Sequence, residues 1–212
     1  MEIDFLKELL SIAFQNPLPG MDAHLHMSPL PVDMRRFSPK IPDNHRKSAV
    51  LLLFFPEDGK GFFPLIKRPV YPGVHSGQVA LPGGKVEPND PDVYFTALRE
   101  AEEEIGIEAG KVEVLGRLSD LYIPTSNFLV SPVVGFLAET PYLVPEQKEV
   151  ARIIRTEVSS IFQPQIRKRT QLDLGGGLQL ETPYFEIDGE IVWGATAMIL
   201  SELIHLLEGK KA

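Results

Sequence analysis

The chain has no cysteine and no long apolar run, and both absences limit what it can be. Without cysteine, disulfide bonds and thiolate metal sites are excluded, and a reducing compartment such as the cytoplasm is favoured. No apolar stretch approaches the about 20 residues that a membrane-spanning helix needs. The N-terminus has no basic region ahead of an apolar core, which argues against a secretory signal. We therefore expect a cytoplasmic protein with no membrane partner.

Basic residues are too few to balance the acidic ones. The chain has 21 lysines and arginines against 29 aspartates and glutamates, which gives a net charge of −8. Because nucleic-acid binding depends on a basic surface that displaces counterions, we expect no nucleic-acid partner. The 212 residues, 43% of them hydrophobic, are enough for one domain with a full core.

The most informative segment is GGKVEPNDPDVYFTALREAEEEIGI, residues 83–107, in which a glycine pair and a polar loop precede an acidic helix. We expect Asp90 to be the N-cap of this helix, Pro91 to be its first residue and Gly106 to end it. At about 100° per residue, apolar side chains that recur at every third or fourth position form one stripe along the predicted helix. This stripe comprises Tyr94, Leu98, Ala101 and Ile105.

Three glutamates of the predicted helix, Glu100, Glu103 and Glu104, are expected on roughly the side opposite this stripe. Like charges at four-residue spacing cost about 0.2–0.5 kcal/mol per pair, and bound cations would remove that penalty. Carboxylates without cysteine or histidine partners suit Mg²⁺ or Mn²⁺. Arg99 precedes Glu103 by four residues and can brace it, whereas Glu102 is expected to be solvated. A solvated acidic face is the alternative interpretation of the glutamates.

This segment resembles the Nudix box, whose second half reads Arg-Glu-apolar-x-Glu-Glu-x-Gly-apolar and matches at every fixed position from Arg99 to Ile107. The first half departs from the box. Gly84 precedes Arg99 by one residue more than is usual, and Asp90 or Glu87 must replace the first glutamate of the box. The resemblance implies a Nudix-type α/β/α sandwich with a mixed β-sheet and a hydrolase that requires Mg²⁺ or Mn²⁺.

Three further stretches resemble the coenzyme A pyrophosphatase branch of this family: HSGQVALPGGKVE before the helix, PTSNFLVSPVVGF at 124–136 and WGATAMIL at 193–200. Pro69 and Gly73 stand where that branch has serine and arginine. The resemblance implies that the substrate is a small molecule containing a nucleoside diphosphate, with coenzyme A or acyl-CoA favoured. The alternatives are another dinucleotide, such as NADH or ADP-ribose, and a non-catalytic module that senses a nucleotide.

The resemblance also implies roles for individual residues. The implied catalytic residues are Arg99, Glu100, Glu103, Glu104 and Glu149, and the implied metal ligands are Glu100, Glu103, Glu104 and the carbonyl of Gly83. The implied substrate contacts are Arg68, His75, Gln78 and Gly84. Glu149 is expected to be a metal ligand or the base that deprotonates water, unless it is a loop carboxylate paired with Arg152. For His75, a buried side chain that satisfies the loop backbone is an equal alternative.

We divide the chain into an N-terminal helix and irregular arm (1–44), a Nudix hydrolase domain (45–208) and a tail (209–212). The first helix, predicted at 2–14, has an apolar stripe expected to pack on the domain or on a partner subunit, which would make a homodimer. That stripe comprises Phe5, Leu6, Leu9, Ile12 and Ala13. Strands are predicted at 48–55, 62–67, 78–81, 111–123, 127–138, 148–156 and within 170–192, and further helices at 158–162 and 195–208.

Overall fold

The computed structural model describes residues 1–38, 40–72, 76–173 and 179–209. Four α-helices are present in these ranges: α1 (Ile3–Ala13), α2 (Met21–Leu25), α3 (Val93–Ile105) and α4 (Gly194–Glu208). The first strands are β1 (Arg46–Glu57), β2 (Lys60–Lys67), β3 (Val79–Ala80) and β4 (Gly83–Lys85). After α3 come β5 (Glu113–Arg117), β6 (Leu121–Ile123), β7 (Phe128–Phe136), β8 (Arg152–Glu157), β9 (Arg167–Asp173), β10 (Gln179–Ile187) and β11 (Glu190–Trp193).

Strand β1 organises the main sheet of eight strands. It runs parallel to β7 and antiparallel to β2 and β4, so the sheet is mixed. Strands β3 and β8 pair with β2, while β5 and β6 pair with β7. The strands β9, β10 and β11 form a separate antiparallel sheet. The turn between β10 and β11 carries Asp188 and Gly189, both at positive φ.

The apolar run of β1 is buried on both faces of the main sheet. Leu52 and Phe54 belong to one core cluster, which also contains residues of α1 and α4. Leu51 and Leu53 belong to a second cluster, which contains the apolar side of α3. Because successive side chains of a strand point to opposite faces, a strand buried on both sides reads as a continuous hydrophobic run. The predicted α/β architecture, a mixed sheet between helices, is confirmed.

Helix α1 is present as predicted, but its apolar stripe was partly wrong. Phe5 and Ile12 are 51% and 44% exposed, whereas Ile3 and Leu10 are buried. The start of the helix is tied to the hairpin between β1 and β2, because Ile3 N donates to Gly59 O. This attachment sets the rotation of the helix about its axis, and the buried stripe is centred on Leu6 and its neighbours.

Two predicted strands have different limits in the structure. The segment predicted as one strand at 111–123 forms two, β5 and β6, which pair with successive parts of β7. Within β5, the register against β7 shifts between Val114 and Gly116. The strand predicted at 148–156 begins only at Arg152, since the residues before it form a loop that bonds to α3. The helix predicted at 158–162 is a single 3₁₀ turn.

The arm between α1 and β1 is anchored by a buried contact between a histidine and a glutamate. His24 Nε2 lies 2.9 Å from Glu202 Oε2 on α4, and both side chains are fully enclosed. Ser119 Oγ and Gly20 N donate to the other oxygen of Glu202 at 2.6 and 3.0 Å. Burial alone would raise the pKa of Glu202, but the hydrogen bonds from His24 and Ser119 lower it overall. The carboxylate therefore ties the arm to the last helix.

Over the described ranges, the helices are too short or too polar to cross a bilayer.

Candidate functional site

Helix α3 begins two residues later than the sequence predicts. Its N-cap is Asp92, whose side chain accepts a hydrogen bond from Phe95 N at 2.8 Å, and the first helical residue is Val93. The prediction of Asp90 as N-cap and Pro91 as first helical residue is wrong, because the Asp90 carboxylate is bonded elsewhere. The predicted end is confirmed: Gly106 adopts the left-handed conformation, with φ of 71°.

Arg99 joins the loop before α3 to the acidic side of the helix. Its Nε and Nη2 donate to the two oxygens of Asp90 at 3.1 and 3.0 Å, and Nη2 also donates to Lys85 O. The hydrogen bond from Arg99 lowers the pKa of Asp90 to about 2. Arg99 also lies 2.9 Å from Glu100 and 3.2 Å from Glu103, so the predicted contact with Glu103 is present. Asp90 thus serves as the principal counter-charge of Arg99.

Glu104 is almost completely buried, with 1% of its surface exposed. The prediction that it lies opposite the apolar stripe is wrong, because the side chain turns toward β4, where Gly83 N donates to Oε2 at 2.8 Å. Burial raises the pKa of Glu104 to about 7, and the charges of Glu100 and Glu149 act in the same direction. The Gly83 amide and the charge of Arg68 oppose this shift. The positive charge and the hydrogen bond around Glu104 therefore do not offset the cost of burying its ionised carboxylate.

The other two predicted glutamates differ in exposure. Glu100 is half-buried, and desolvation raises its pKa against the opposing effect of Arg99. Glu103 is 61% exposed, with Arg99 as its ion-pair partner. Since an exposed carboxylate costs less to ionise than a buried one, Glu103 can add negative charge beside Arg99. Its role as a metal ligand stays a prediction.

The glycine pair lies in β4, where little space is left for side chains. Gly83 and Gly84 pair with Val50 and Ala49 of β1. A Cβ atom at Gly83 would collide with the β1 backbone, and its φ of 152° also favours glycine. A Cβ atom at Gly84 would collide with the carboxylate of Glu100. Gly83 therefore allows β4 to lie close to β1, and Gly84 allows α3 to lie close to β4. A metal contact of Gly83 and a substrate contact of Gly84 stay predictions.

Glu149 belongs to a loop that is bonded to the end of α3. Val144 N donates to Ile105 O and Glu146 N to Glu104 O, both at 2.9 Å. Glu149 N in turn donates to Glu146 O at 3.0 Å. The charge of Glu149 is close enough to raise the pKa values of Glu100 and Glu104. The loop therefore brings a third carboxylate toward the two on the helix.

The alternative interpretation, an ion pair between Glu149 and Arg152, does not agree with the structure. Arg152 instead lies 3.0 Å from Asp188 and 3.1 Å from Glu190. Glu190 also binds Lys67, the last residue of β2. The charge of Lys67 is therefore paired with a carboxylate outside the acidic cluster.

Arg68, a predicted substrate contact, lies close enough to the acidic cluster for its charge to oppose the rise in the pKa of Glu104. Its backbone N donates to Gln78 O at 2.9 Å, which holds together the two ends of the loop between β2 and β3. His75 and Gly73 lie outside the described residues. Trp193 is half-buried at the end of β11, directly before α4.

The donor atoms of the acidic cluster are of the type that hard divalent cations prefer. Every acidic donor is an oxygen, and the raised pKa of buried Glu104 shows that its ionised form needs a further positive charge. Within the described ranges, three acidic or histidine side chains do not already converge as a ligand set. Mg²⁺ requires no such set, because it is usually held by one or two carboxylates together with water and substrate phosphate. Glu100 and Glu104 meet that requirement.

Comparisons with known proteins agree with this arrangement. The NUDIX domain model matches residues 45–171. An uncharacterized Nudix hydrolase, NudL, of Photorhabdus laumondii is 36% identical over 80% of this chain and 89% of its own length. The mitochondrial coenzyme A diphosphatase NUDT8 of Mus musculus is 35% identical over 64% of this chain and 65% of its own length. Among solved structures, the Nudix hydrolase RenU of M. smegmatis covers 56% of this chain and 74% of its own, with 22% identity and a TM-score of 0.46.

Proposed function

Because the chain belongs to the Nudix family, we propose that it hydrolyses the diphosphate bond of coenzyme A or acyl-CoA with the help of Mg²⁺ or Mn²⁺. The observation that carries the hydrolytic part is the cluster of Glu100, Glu104 and Glu149, in which burial raises the pKa of Glu104 to about 7. Groups with strongly perturbed pKa values are typical of catalytic sites. The domain limits of 1–44, 45–208 and 209–212 are part of the same proposal.

The preference for coenzyme A rests on similarity. The mouse relative is named a coenzyme A diphosphatase, and the chain spans 65% of that protein's length. The stretches HSGQVALPGGKVE and WGATAMIL resemble the same branch. Gly73 stands where an arginine is usual, and one charge-assisted contact is worth about 1.5–3 kcal/mol. The absence of this contact would weaken the binding of coenzyme A by about 10- to 150-fold.

The proposed chemistry assigns a task to each charged residue. Glu100 and Glu104 hold the cation, with the carbonyl of Gly83 as a further ligand, and Glu103 adds negative charge at the mouth of the cluster. The bound cation would neutralise charge on the diphosphate and lower the pKa of water. Glu149 accepts the proton of the attacking water. Arg68 binds a phosphate oxygen, and Arg99 orients Glu100.

The reaction consumes one water and releases two phosphorylated products. The water oxygen attacks one phosphorus atom, the bond from that phosphorus to the bridging oxygen breaks, and the bridging oxygen leaves with the other phosphate. From coenzyme A, the products are 3′,5′-ADP and 4′-phosphopantetheine. The cation makes the net charge of −8 compatible with an anionic substrate, because it inverts the local field.

A substrate panel tests this proposal. Purified protein is incubated with coenzyme A, acetyl-CoA, NADH or ADP-ribose in the presence of Mg²⁺ or Mn²⁺, and the products are identified by mass spectrometry. We expect 3′,5′-ADP from coenzyme A and acetyl-CoA, and its loss in Glu100→Gln. Cleavage of NADH or ADP-ribose alone would overturn the coenzyme A assignment but not the diphosphatase activity. Tight nucleotide binding without turnover of any substrate would indicate a sensing module.

A further inference from the structure

A cavity of about 240 Å³ lies between the N-terminal arm and the strand β6, away from the acidic cluster. Its walls come from α2, from the 3₁₀ turn Met34–Phe37, from the turn before β6 and from β6 and β7. The polar residues that line it are His24, Arg36, Ser38, Ser119, Asp120 and Tyr122. The volume is below the about 300–1,000 Å³ that is usual for drug-sized ligands. A small ion or a small metabolite would fit better than a whole nucleotide.

Arg36, which lines this cavity, has no ion-pair partner among the described residues. Across residues 1–38, 40–72, 76–173 and 179–209, its guanidinium has no hydrogen-bond acceptor, although the side chain is half-buried. Desolvation lowers its pKa, and the charge of Asp33 opposes that effect. Asp33 itself is bound by Arg35, whose Nε and Nη2 donate to its two oxygens at 2.9 and 2.7 Å. A partly desolvated cation left in this way is unfavourable unless an anion pairs with it.

The acidic groups around the cavity have hydrogen-bond partners other than Arg36. Asp120 accepts hydrogen bonds from Arg117 and Ser131, both at 2.7 Å. Glu202, behind the wall, is bound by His24 and Ser119. Neither carboxylate therefore serves as the ion-pair partner of Arg36.

A second donor is available beside Arg36. Ser38 Oγ accepts a hydrogen bond from Lys40 N at 3.2 Å, which leaves the hydroxyl proton of Ser38 to donate. The planar guanidinium presents parallel N–H groups that match the oxygens of a phosphate. A phosphate has enough acceptor oxygens to bind both residues at once.

We propose that this cavity binds phosphate, either as the free ion or as the phosphate group of a small phosphomonoester, with Arg36 as its principal donor. The site is separate from the candidate active site, because the cavity is lined by neither Glu100 nor Glu104. The proposal therefore does not depend on the proposed function.

Thermal unfolding of the metal-free full-length protein tests the site. Sodium phosphate and glycerol 3-phosphate are titrated separately, each against sodium chloride of equal ionic strength. Because a ligand that binds the native state raises its melting temperature, we expect a saturable rise with at least one of them. The stronger ligand identifies the source of the phosphate. A rise no larger than that with sodium chloride for both compounds would overturn the proposal.

Three variants locate the effect. Arg36→Gln should weaken phosphate binding by about 10- to 150-fold, the range expected for a charge-assisted contact. Arg35→Gln is the matched control, since Arg35 is the next residue, is 74% exposed and binds Asp33; it should respond as the wild type does. Arg68→Gln should also retain the response. A response retained by Arg36→Gln, or lost in Arg68→Gln instead, would contradict the assignment.

The unliganded proteins provide a further check. Arg36→Gln should melt no lower than the wild type in phosphate-free buffer, because it removes a charge without a counter-charge. A large loss of stability there would mean that Arg36 has a structural role, which would overturn the proposal. Arg36→Lys, which keeps the charge but not the planar fork, should bind phosphate with intermediate affinity.

Discussion

Glu104→Gln should change how the stability of the metal-free protein depends on pH. The wild-type carboxylate has a pKa of about 7 in the folded chain, against 4.5 for an ordinary glutamate. Between these values the folded state holds more protons than the unfolded state, so the free energy of unfolding falls as the pH rises. The stabilising contribution of Glu104 to the free energy of unfolding is fully present below about pH 4.5, and it is lost once the pH has passed about 7.

The size of the effect follows from the shift. One pKa unit corresponds to about 1.36 kcal/mol, so a rise from 4.5 to about 7 corresponds to roughly 3 kcal/mol. Glutamine has nearly the same shape, keeps an oxygen that can accept the hydrogen bond from Gly83 N, and cannot ionise. We therefore expect the variant to be about as stable as the wild type near pH 5. At pH 8 it should be more stable by an amount on the order of 3 kcal/mol.

The assay is urea unfolding with EDTA at several pH values between 5 and 8. Glu102→Gln is the control on the same helix, because Glu102 is exposed and accepts a hydrogen bond from Ala109 N. Its difference from the wild type should stay constant over this pH range. If Glu104→Gln and the wild type also differed by a constant amount, the argument that burial of Glu104 raises its pKa would be refuted.

Four shorter predictions concern the same cluster and the arm. Glu100→Gln should reduce turnover at saturating metal by at least about 10²-fold while Glu102→Gln retains it, and unchanged steady-state rates would remove Glu100 from the ligand set. Mg²⁺ or Mn²⁺ should raise the melting temperature of the wild type far more than that of Glu104→Gln, whereas equal shifts would place the ion elsewhere. Asp90→Asn should lower both turnover and melting temperature, because it removes the counter-charge of the box arginine; a silent variant in both assays would contradict this role. Glu202→Gln should destabilise the protein near neutral pH, and the deficit should shrink in acid, since stability from a carboxylate with a lowered pKa is lost as the pH falls; calorimetry at pH 7 and pH 4 measures both values.

The elements that sequence patterns predicted best are those whose periodicity is dictated by burial. The run at 48–55 is buried on both faces, and the closing helix predicted at 195–208 spans Gly194–Glu208. The start of α3 was predicted less well than its end, because Asp90-Pro91 and Asp92-Val93 are both acceptable starts for a helix. Arg99 decides between them, since it binds Asp90 and leaves Asp92 to cap the helix. That choice depends on tertiary contacts.

The sequence predicted which residues form the candidate site, but it did not predict how deeply they are buried. The pattern from Arg99 to Ile107 identified the glutamates, yet helical geometry alone placed Glu104 with the exposed acids. Its burial results from the close approach of β4, which the glycine pair allows. The contact between His24 and Glu202 could not be foreseen at all, because the two residues are far apart in the sequence and neither belongs to a recognisable pattern.

The participation of α4 in the first core cluster has a consequence for synthesis on the ribosome. Leu52 and Phe54 are synthesised well before Leu200 and Leu203, which share their cluster and emerge from the ribosome only after most of the domain has been made. Until then one face of the nascent sheet lacks part of its cover, and His24 lacks its acidic partner. Such an intermediate is prone to aggregate or to recruit chaperones. For the same reason, a fragment restricted to residues 45–171, the part that the family model matches, should be poorly soluble when expressed alone.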